Sequence, residues 1–484
     1  MNLAHLAEGH DPGTTALVAG SERWTYGQVN AGVAALRAHL DTAGLAPGDR
    51  LSTVLPNGVA FVLTWLAALG LGVAVAPLYP ASPRAELGRQ LALLRPDATV
   101  GPGGDFQGEQ LLEIAAGASA PPRTGDSRGG RAPAPPIVEL DDTAPAALLS
   151  TAGTAGAPKV AVLTHGNLAA NVAQVGRVPG LAPRAGEHCL GALPMHHVFG
   201  LNVVLDAALG AGAAVVLSEH FDPSALLDAL AGGEIQVLAG VPAMFAALAE
   251  RPHGVLRPPR LAISGGASLP RAVAEAFAAL VGVPLLEGYG LTEASPTVTS
   301  PAPGEPLPPG SVGRPLPGVE LRVVDGDGED AEAGDPGEVW VRGPNVFPGY
   351  LDDPDATRLA LDEHGWLRTG DVAATDEDGH VFLLDRQKDV VIVSGFNVWP
   401  AEVEAVLAAV PGVAEAAVAG RPHPLTGETV HAWVVPESGA ALEPASVIAY
   451  CREHLARYKC PTEVAVAAEL PHGPAGKLLR RSLP

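Results

Sequence analysis

AALLS (146–150), KVAVLT (159–164), LGALP (190–194), AAVVLS (213–218), IQVLAG (235–240), RLAIS (260–264) and PLLEG (284–288) follow one another through the middle of the chain. Each is a short apolar run, the pattern of a strand buried on both faces. The intervening stretches at 167–176, 200–210, 223–231, 241–250 and 269–281 have helical spacing. Strand and helix in alternation predict a largely parallel sheet with helices on both faces, an α/β fold.

The same style holds over 23–100, where one stretch invites a membrane reading. Leu51 to Pro83 carries no charge, and 61–78 reads FVLTWLAALGLGVAVAPL. About 20 apolar residues span a bilayer. Gly70 and Gly72 interrupt the run and Pro77 closes it, so it reads as a helix over 59–69, capped by Asn57, then a buried strand in GVAVAPL. Between Gly101 and Pro136 the chain turns Pro/Gly/Ser-rich and reads as a long loop around one helix at 108–117. A second Pro/Gly cluster, SPAPGEPLPPG (300–310), introduces shorter strands in VELRVVD (319–325) and GEVWVRG (337–343), a small β subdomain. After about Arg386, a helix in AEVEAVLAAV (401–410), strands near 413–420 and 430–435, and a helix over 444–457 predict a compact α+β unit of about a hundred residues.

The 484 residues suffice for two to four folding units, at about 100–200 residues per domain. With 30 basic against 53 acidic residues the net charge is −23, which disfavours nucleic acid and anionic membranes as partners. Any polyanion bound here must be gripped locally. Three cysteines, Cys189, Cys451 and Cys460, form no disulfide framework and no CxxC spacing, as expected in a reducing cytoplasm. MNLAHLAEGHDP lacks the basic and apolar regions of a secretory leader. Lysine is the telling residue: only Lys159, Lys388, Lys459 and Lys477 occur, against 26 arginines. A compact, flexible point charge is not replaced by arginine, so these four are candidates for special work.

Several segments carry chemistry. In 150–159, STAGTAGAPK, Gly and Thr let backbone N–H groups and hydroxyls wrap a phosphate that Lys159 neutralises. The segment is not a Walker A loop, since Pro158 stands where Gly is needed, and an ordinary hairpin turn is the alternative. In EGYGLTE (287–293), the glycines permit close backbone approach, Tyr289 offers a face for a purine, and Glu293 suits a divalent cation; a tight turn around a buried tyrosine would read the same. RTGD (368–371) and DRQKD (385–389) offer a carboxylate for ribose hydroxyls beside an arginine, or plain charged surface turns. Lys477 sits on a terminal Pro/Gly loop, PHGPAGK.

Together with PMHHVFG (194–200), Gly265-Gly266-Ala267, GEVWVRGPNVFPGY (337–350), WLRTGD (366–371), GFNVWPAEVE (395–404) and PAGK (474–477), these segments make the chain resemble the adenylate-forming (AMP-binding) superfamily, in its acyl-CoA synthetase and fatty-acid–CoA ligase branch. The resemblance runs from about Trp24 to Arg481. It implies a large N-terminal domain over 1–385, of parallel-rich sheets flanked by helices plus a small β subdomain. A small mobile α+β domain over 386–484 follows, hinged near Lys388. It also implies ATP, Mg²⁺ and CoA as cofactor and co-substrates, and a carboxylic acid as substrate. Thr151, Gly153, Thr154, Gly156 and Lys159 would contact the β and γ phosphates. Gly288 and Tyr289 would line the adenine, with Thr292 near the α-phosphate and Glu293 on Mg²⁺. Asp371 and Arg386 would hold the ribose. His197, Gly265, Gly266 and Ala267 would border the acyl group, and Gly395 and Phe396 the pantetheine. Lys477 would reach both the acyl carboxylate and the α-phosphate; Lys459, in a family-like YKCP stretch, is given no chemistry.

Physically, two anions must meet when a carboxylate attacks the α-phosphate, and cations offset that repulsion. Lys477 must then leave for a thiol to reach the acyl-adenylate, which implies rotation of the small domain. The expected activity is therefore acyl-AMP formation followed by acyl-CoA formation, from a medium- or long-chain fatty acid. Loading of a carrier protein in trans, or a non-catalytic acyl- or nucleotide-binding homologue, are the alternatives, and a homodimer is left open. Ala152 and Ala155 stand where Ser and Thr are common, Val160 where Gly is frequent, and Ile392 and Ser394 where plant and beetle members carry lysines. His196 and His197 lack a third clustered ligand and make no metal site. No phosphopantetheine-bearing segment is read after Pro484.

Overall fold

The computed structural model describes residues 2–101, 110–112, 134–152, 158–249, 251, 254–267, 269–386, 391–398, 400–437, 439–471 and 483. All seven apolar runs form strands, but they divide between two seven-stranded sheets. In the first, Leu286–Glu287, Leu261–Ser264, Val237–Gly240, His188–Gly191, Ala214–Leu217 and Thr15–Ala19 run parallel, with Glu22–Thr25 antiparallel at the edge. The second places Ala74–Pro77 and Arg50–Thr53 beside Pro145–Ala152, which pairs antiparallel with Pro158–Thr164. The expected parallel-rich sheets flanked by helices are present, and this pair is an antiparallel exception within the second. Too few residues separate these last two strands for a parallel crossover, which takes a dozen or more, so the chain folds back as a hairpin.

The five helical windows all become helix: His165–Arg177, Phe199–Asp206 continuing through Ala207–Gly210, Pro223–Gly232, Pro242–Ala249 and Arg271–Val281. Local chemistry sets their starts. Thr164 accepts from the Asn167 amide while Asn167 returns the bond to the Thr164 amide, so the helix begins directly at the strand end. Asp222 caps the next helix through the Ser224 and Ala225 amides, and Gly233, at φ 73°, stops it.

The uncharged stretch forms a twelve-residue helix, Val59–Gly70, buried almost all round, then the buried strand Ala74–Pro77. No helix of the described residues is long and apolar enough to cross a membrane. Asn57 is not its cap, contrary to expectation: Gly58 holds that position without a side-chain bond. The Asn57 amide instead donates to the Leu193 carbonyl at 2.8 Å and accepts from the Met195 amide at 2.9 Å, fixing the loop that leads to the two histidines. The helix expected at 108–117 is also corrected. Its described residues, Gln110–Leu112, pair as an edge strand with Ala98–Val100. The β subdomain is a four-stranded antiparallel sheet of Glu320–Val324, Gly337–Arg342, Leu367–Thr375 and Val381–Arg386. The last unit wraps the helices Pro400–Ala408 and Pro444–His454 around a five-stranded sheet, with a hydrophobic core of its own.

One buried polar contact ties the two large sheets. Trp65, in the uncharged helix, donates Nε1 to Oδ1 of Asp206 at 2.9 Å, at the end of the π-helical stretch Phe199–Asp206. Asp206 Oδ2 has no hydrogen-bond partner among the described residues, and burial pushes this carboxyl up to about 7 against the opposing Trp65 bond. A raised carboxyl pKa stabilises the fold below its unfolded value and loses that contribution as pH rises through about 7. Asp206→Asn, neutral throughout, therefore removes up to about 4 kcal/mol of the stability lost between pH 4 and 8, as a shift of about three units implies. Urea midpoints across that range measure it; wild-type and Asp206→Asn profiles of equal slope would contradict it.

Candidate active site

Parallel strands expose backbone amides and side chains where they end, and crevices form there. Here the loops after His188–Gly191, Val237–Gly240, Leu261–Ser264 and Leu286–Glu287 meet Thr151 and Lys159, near the facing ends of the hairpin strands, around a cavity of about 1100 Å³.

One side is polar. The Tyr289 hydroxyl donates to Asp371 Oδ2 at 2.7 Å, and the Asp371 amide donates to Thr369 Oγ1. Asp371 pairs through its backbone with Arg386, at the end of the neighbouring strand. Gly290 must lack a side chain, because a Cβ there would lie 2.1 Å from the Pro296 carbonyl oxygen. Glu293 Oε1 accepts from the Tyr350 hydroxyl at 2.8 Å, and Lys159 Nζ lies 4.8 Å from the centre of the same ring. The pairing of Gly349–Tyr350 with Pro158–Thr164 brings these charges together. Burial, then Glu293, pushes the Tyr350 hydroxyl above the usual tyrosine range, so it stays protonated and a donor. Thr151 Oγ1 is buried without a hydrogen-bond partner among the described residues. Glu338 spans the wall between the Gly370 amide and Trp340 Nε1.

The other side is aromatic. Phe396 stacks on Tyr458 at 4.3 Å and lies 5.1 Å from the His197 ring, 6.3 Å from Tyr79 and 6.4 Å from His196. Burial, with Lys459 nearby, lowers His197 to about 4; burial, then His197 and Lys459, lowers His196 well below its usual range. Both imidazoles are therefore neutral at physiological pH, and both Nε2 atoms are buried without a partner among the described residues. Gly395 (φ 84°) faces Gly266 (φ 78°), two left-handed positions that favour glycine. Behind them Glu287, which accepts from the Leu269 amide, is pushed up to about 7 by burial.

Thr151, Lys159, His197, Gly265, Gly266, Gly288, Tyr289, Thr292, Glu293, Asp371, Gly395 and Phe396, widely separated in sequence, thus line one cavity. Ala267 is described but does not line it, and of Arg386 only the backbone is described. Gly153, Thr154, Gly156, Lys388 and Lys477 lie outside the described residues. Sequence reasoning missed Tyr79, Glu338 and Tyr458, and gave Tyr350 no role. The scarcity of lysine did point at Lys459, which lines the cavity edge beside Tyr458.

The chain matches the family described as AMP-binding enzyme over residues 4–351, and the AMP-binding enzyme C-terminal domain over 402–477. It is 41% identical to a long-chain-fatty-acid–CoA ligase of Yersinia pestis over 360 residues, 72% of this chain and 62% of that protein. It thus spans under two thirds of that relative's length. A feruloyl-CoA synthase of Amycolatopsis sp is 36% identical over 476 residues, covering 97% of this chain and 95% of that protein. Among solved structures, an o-succinylbenzoate CoA synthetase from Bacillus subtilis, bound with a product analogue, superposes with a TM-score of 0.88 at 28% identity, covering 100% of this chain and 98% of that one. ATP-bound MatB from Rhodopseudomonas palustris gives 0.73 at 31% identity, covering 99% and 97%. Family match and site geometry agree: the chain belongs to the AMP-binding, adenylate-forming enzymes, in their acyl-CoA synthetase branch.

Proposed function

We propose that the chain activates a neutral, apolar carboxylic acid, a medium- or long-chain fatty acid foremost, with ATP to an acyl-adenylate and pyrophosphate. It then passes the acyl group to the thiol of CoA, releasing AMP. The observation that carries this is the single cavity joining three environments: the Tyr289–Asp371 and Lys159–Tyr350–Glu293 groups, the neutral aromatic wall around Phe396, and an apolar lining that includes Val203, Phe221, Val241, Met244 and Ile263. The lysine and arginine side chains that line it, among the described residues, are engaged elsewhere. Lys159 lies over Tyr350, Arg368 over Trp340, Arg89 on the His454 carbonyl, and Lys459 between two glutamates. A second acidic group on the substrate would meet no counter-charge in the apolar part. The Yersinia pestis relative is named for long-chain fatty acids, which supports this reading. An aryl acid is the second reading, favoured by the feruloyl-CoA synthase that aligns over nearly the whole chain.

In this reading Tyr289 and Gly288 receive the adenine, while Asp371 and Arg386 hold the ribose. Thr151, Gly153, Thr154, Gly156 and Lys159 grip the outer phosphates, with Thr292 by the α-phosphate. Lys477 bridges the acyl carboxylate and the α-phosphate. Glu293 is a hard oxygen donor in the cavity, held in place by Tyr350, and fits Mg²⁺. Mg²⁺ bound there would offset phosphate charge. His197, Gly265, Gly266 and Ala267 border the acyl group, and Gly395 and Phe396 the pantetheine. A boundary between residues 385 and 386, with a hinge at Lys388, lets the smaller domain exchange Lys477 for the thiol path. The orientation described here fits the second step, because it places Gly395 and Phe396 at the cavity. The superposition is also better on a CoA synthetase bound with its product analogue than on an ATP-bound relative.

Mass spectrometry of reactions with ATP, Mg²⁺ and CoA should show acyl-CoA and AMP with straight-chain acids between butyrate and stearate, and none with malonate or sulfoacetate. Turnover of the charged acids would contradict the neutral-tail assignment. Lys477→Ala should slow pyrophosphate release by about 10²–10³-fold, the usual cost of one transition-state charge contact; a loss below threefold would remove it from the adenylation step. Gly395→Ala places a Cβ 2.3 Å from Val241 Cγ1 at φ 84°. Overpacking of this kind predicts a loss of about tenfold or more in thioester formation while ATP–pyrophosphate exchange persists. An equal loss in both would show that the loop does not act in the second step alone.

A further inference from the structure

Lys459 is nearly dry, and its surroundings come from both sides of the domain boundary. Its ammonium donates to Glu86 Oε1 at 2.5 Å and to Glu402 Oε1 at 2.9 Å. Glu402, on the helix Pro400–Ala408, and Lys459 both belong to the C-terminal unit. Glu86 lies in the first turn of Arg84–Leu94, in the N-terminal part, and is 2% exposed. Its second oxygen accepts from the Ala456 amide at 2.7 Å, so both oxygens of one N-terminal carboxylate are spent on the C-terminal unit. One turn further along, Arg89 donates to the His454 carbonyl at 2.9 Å. Tyr458, the residue before Lys459, stacks on Phe396 and meets Tyr79 across the boundary at 5.7 Å.

We propose that Glu86 is a positioning residue for thioester formation: it latches the C-terminal domain, through Lys459 and the Ala456 amide, in the orientation that brings Gly395 and Phe396 to the cavity. This rests on the activity proposed above. The chemistry of the three charges favours a latch over a permanent weld. When the domains part, Lys459 keeps Glu402 and is not stranded, while Glu86 returns to water at a helix N-terminus, where a carboxylate is favoured. When they close, the second carboxylate completes the coordination of a desolvated ammonium. Buried ion groups add little net stability but are costly to break from one side, so they select one geometry over others. Sliding the domains by a single residue would leave Glu86 buried without its partners. Glu86 therefore defines the closed orientation while leaving the open one accessible.

The test uses the full chain and its preferred acid. ATP–pyrophosphate exchange reads the first half-reaction, and single-turnover conversion of preformed acyl-adenylate to acyl-CoA reads the second. Glu86→Ala should slow the second by about tenfold or more, as one-sided loss of a buried ion partner predicts, and leave exchange within about threefold. Glu86→Gln, which retains two acceptor or donor positions but no charge, should fall between. Closure is read independently by energy transfer between dyes on Arg95→Cys and Arg452→Cys, since the native cysteines are all buried. Glu86→Ala should lower the high-transfer population. Equal losses in both half-reactions, or no change in the second, would overturn the latch. If the wild type forms no thioester with any acid, the proposed function fails instead; the dye measurement then decides the latch, and unchanged transfer overturns it.

Discussion

A single ammonium, Lys459, stands out of water between Glu86 and Glu402, and the shape of the cavity depends on it. Burial works against that charge, yet Tyr458, Glu402 and Glu86 raise its pKa above the usual lysine range, so it stays protonated. The same contact sets Tyr458 against Phe396 and so carries the aromatic wall to its place beside the neutral His196 and His197. The wall is built from two domains, and a shift of one against the other would dismantle it. Glu86 and Lys459 are not needed to hold either domain together, since each has a core of its own. What they fix is relative position.

The remaining constraint is chemical. In adenylate-forming chemistry an anionic carboxylate must meet an anionic nucleotide at the α-phosphorus, and a thiol must then reach the acyl carbon. The cavity divides this labour by polarity. Lys159, Tyr350 and Glu293 cluster on the polar side, held by the pairing of the hairpin strand with Gly349–Tyr350. The histidines opposite are kept uncharged by burial and by the nearby Lys459, so the imidazoles add no charge to the aromatic side. Strand ends supply the frame, and glycines such as Gly290 and Gly395 let backbone approach backbone where a Cβ would collide.

Much of this was legible in the sequence, for reasons that differ by element. Apolar runs and helical windows read correctly because burial on both faces leaves a one-dimensional trace. Their allocation to two sheets did not, since pairing partners lie far apart in the chain; the clue was the short span between AALLS and KVAVLT, which forbids a crossover. Asn57 looked like a cap because its type and position suited one, but its side chain is taken by tertiary partners, the accepting Leu193 carbonyl and the donating Met195 amide. The strands that flank the 150–159 segment pair antiparallel, and the residues between them, 153–157, lie outside the described residues. Motif residues far apart in the sequence, such as Thr151, Tyr289 and Asp371, were singled out by order and spacing, and they line one cavity. Glu86 was invisible: an ordinary acidic residue at a helix start becomes special only through Lys459, hundreds of positions away, although the rarity of lysine had marked its partner.

The central claim, that a carboxylate attacks the α-phosphate before CoA accepts the acyl group, is tested most directly with a fatty acid labelled with oxygen-18 in its carboxyl group. After turnover with ATP and CoA, the account predicts one heavy oxygen in the AMP released, because the adenylate is cleaved at its acyl carbon. AMP without the label, or ADP in its place, would contradict it.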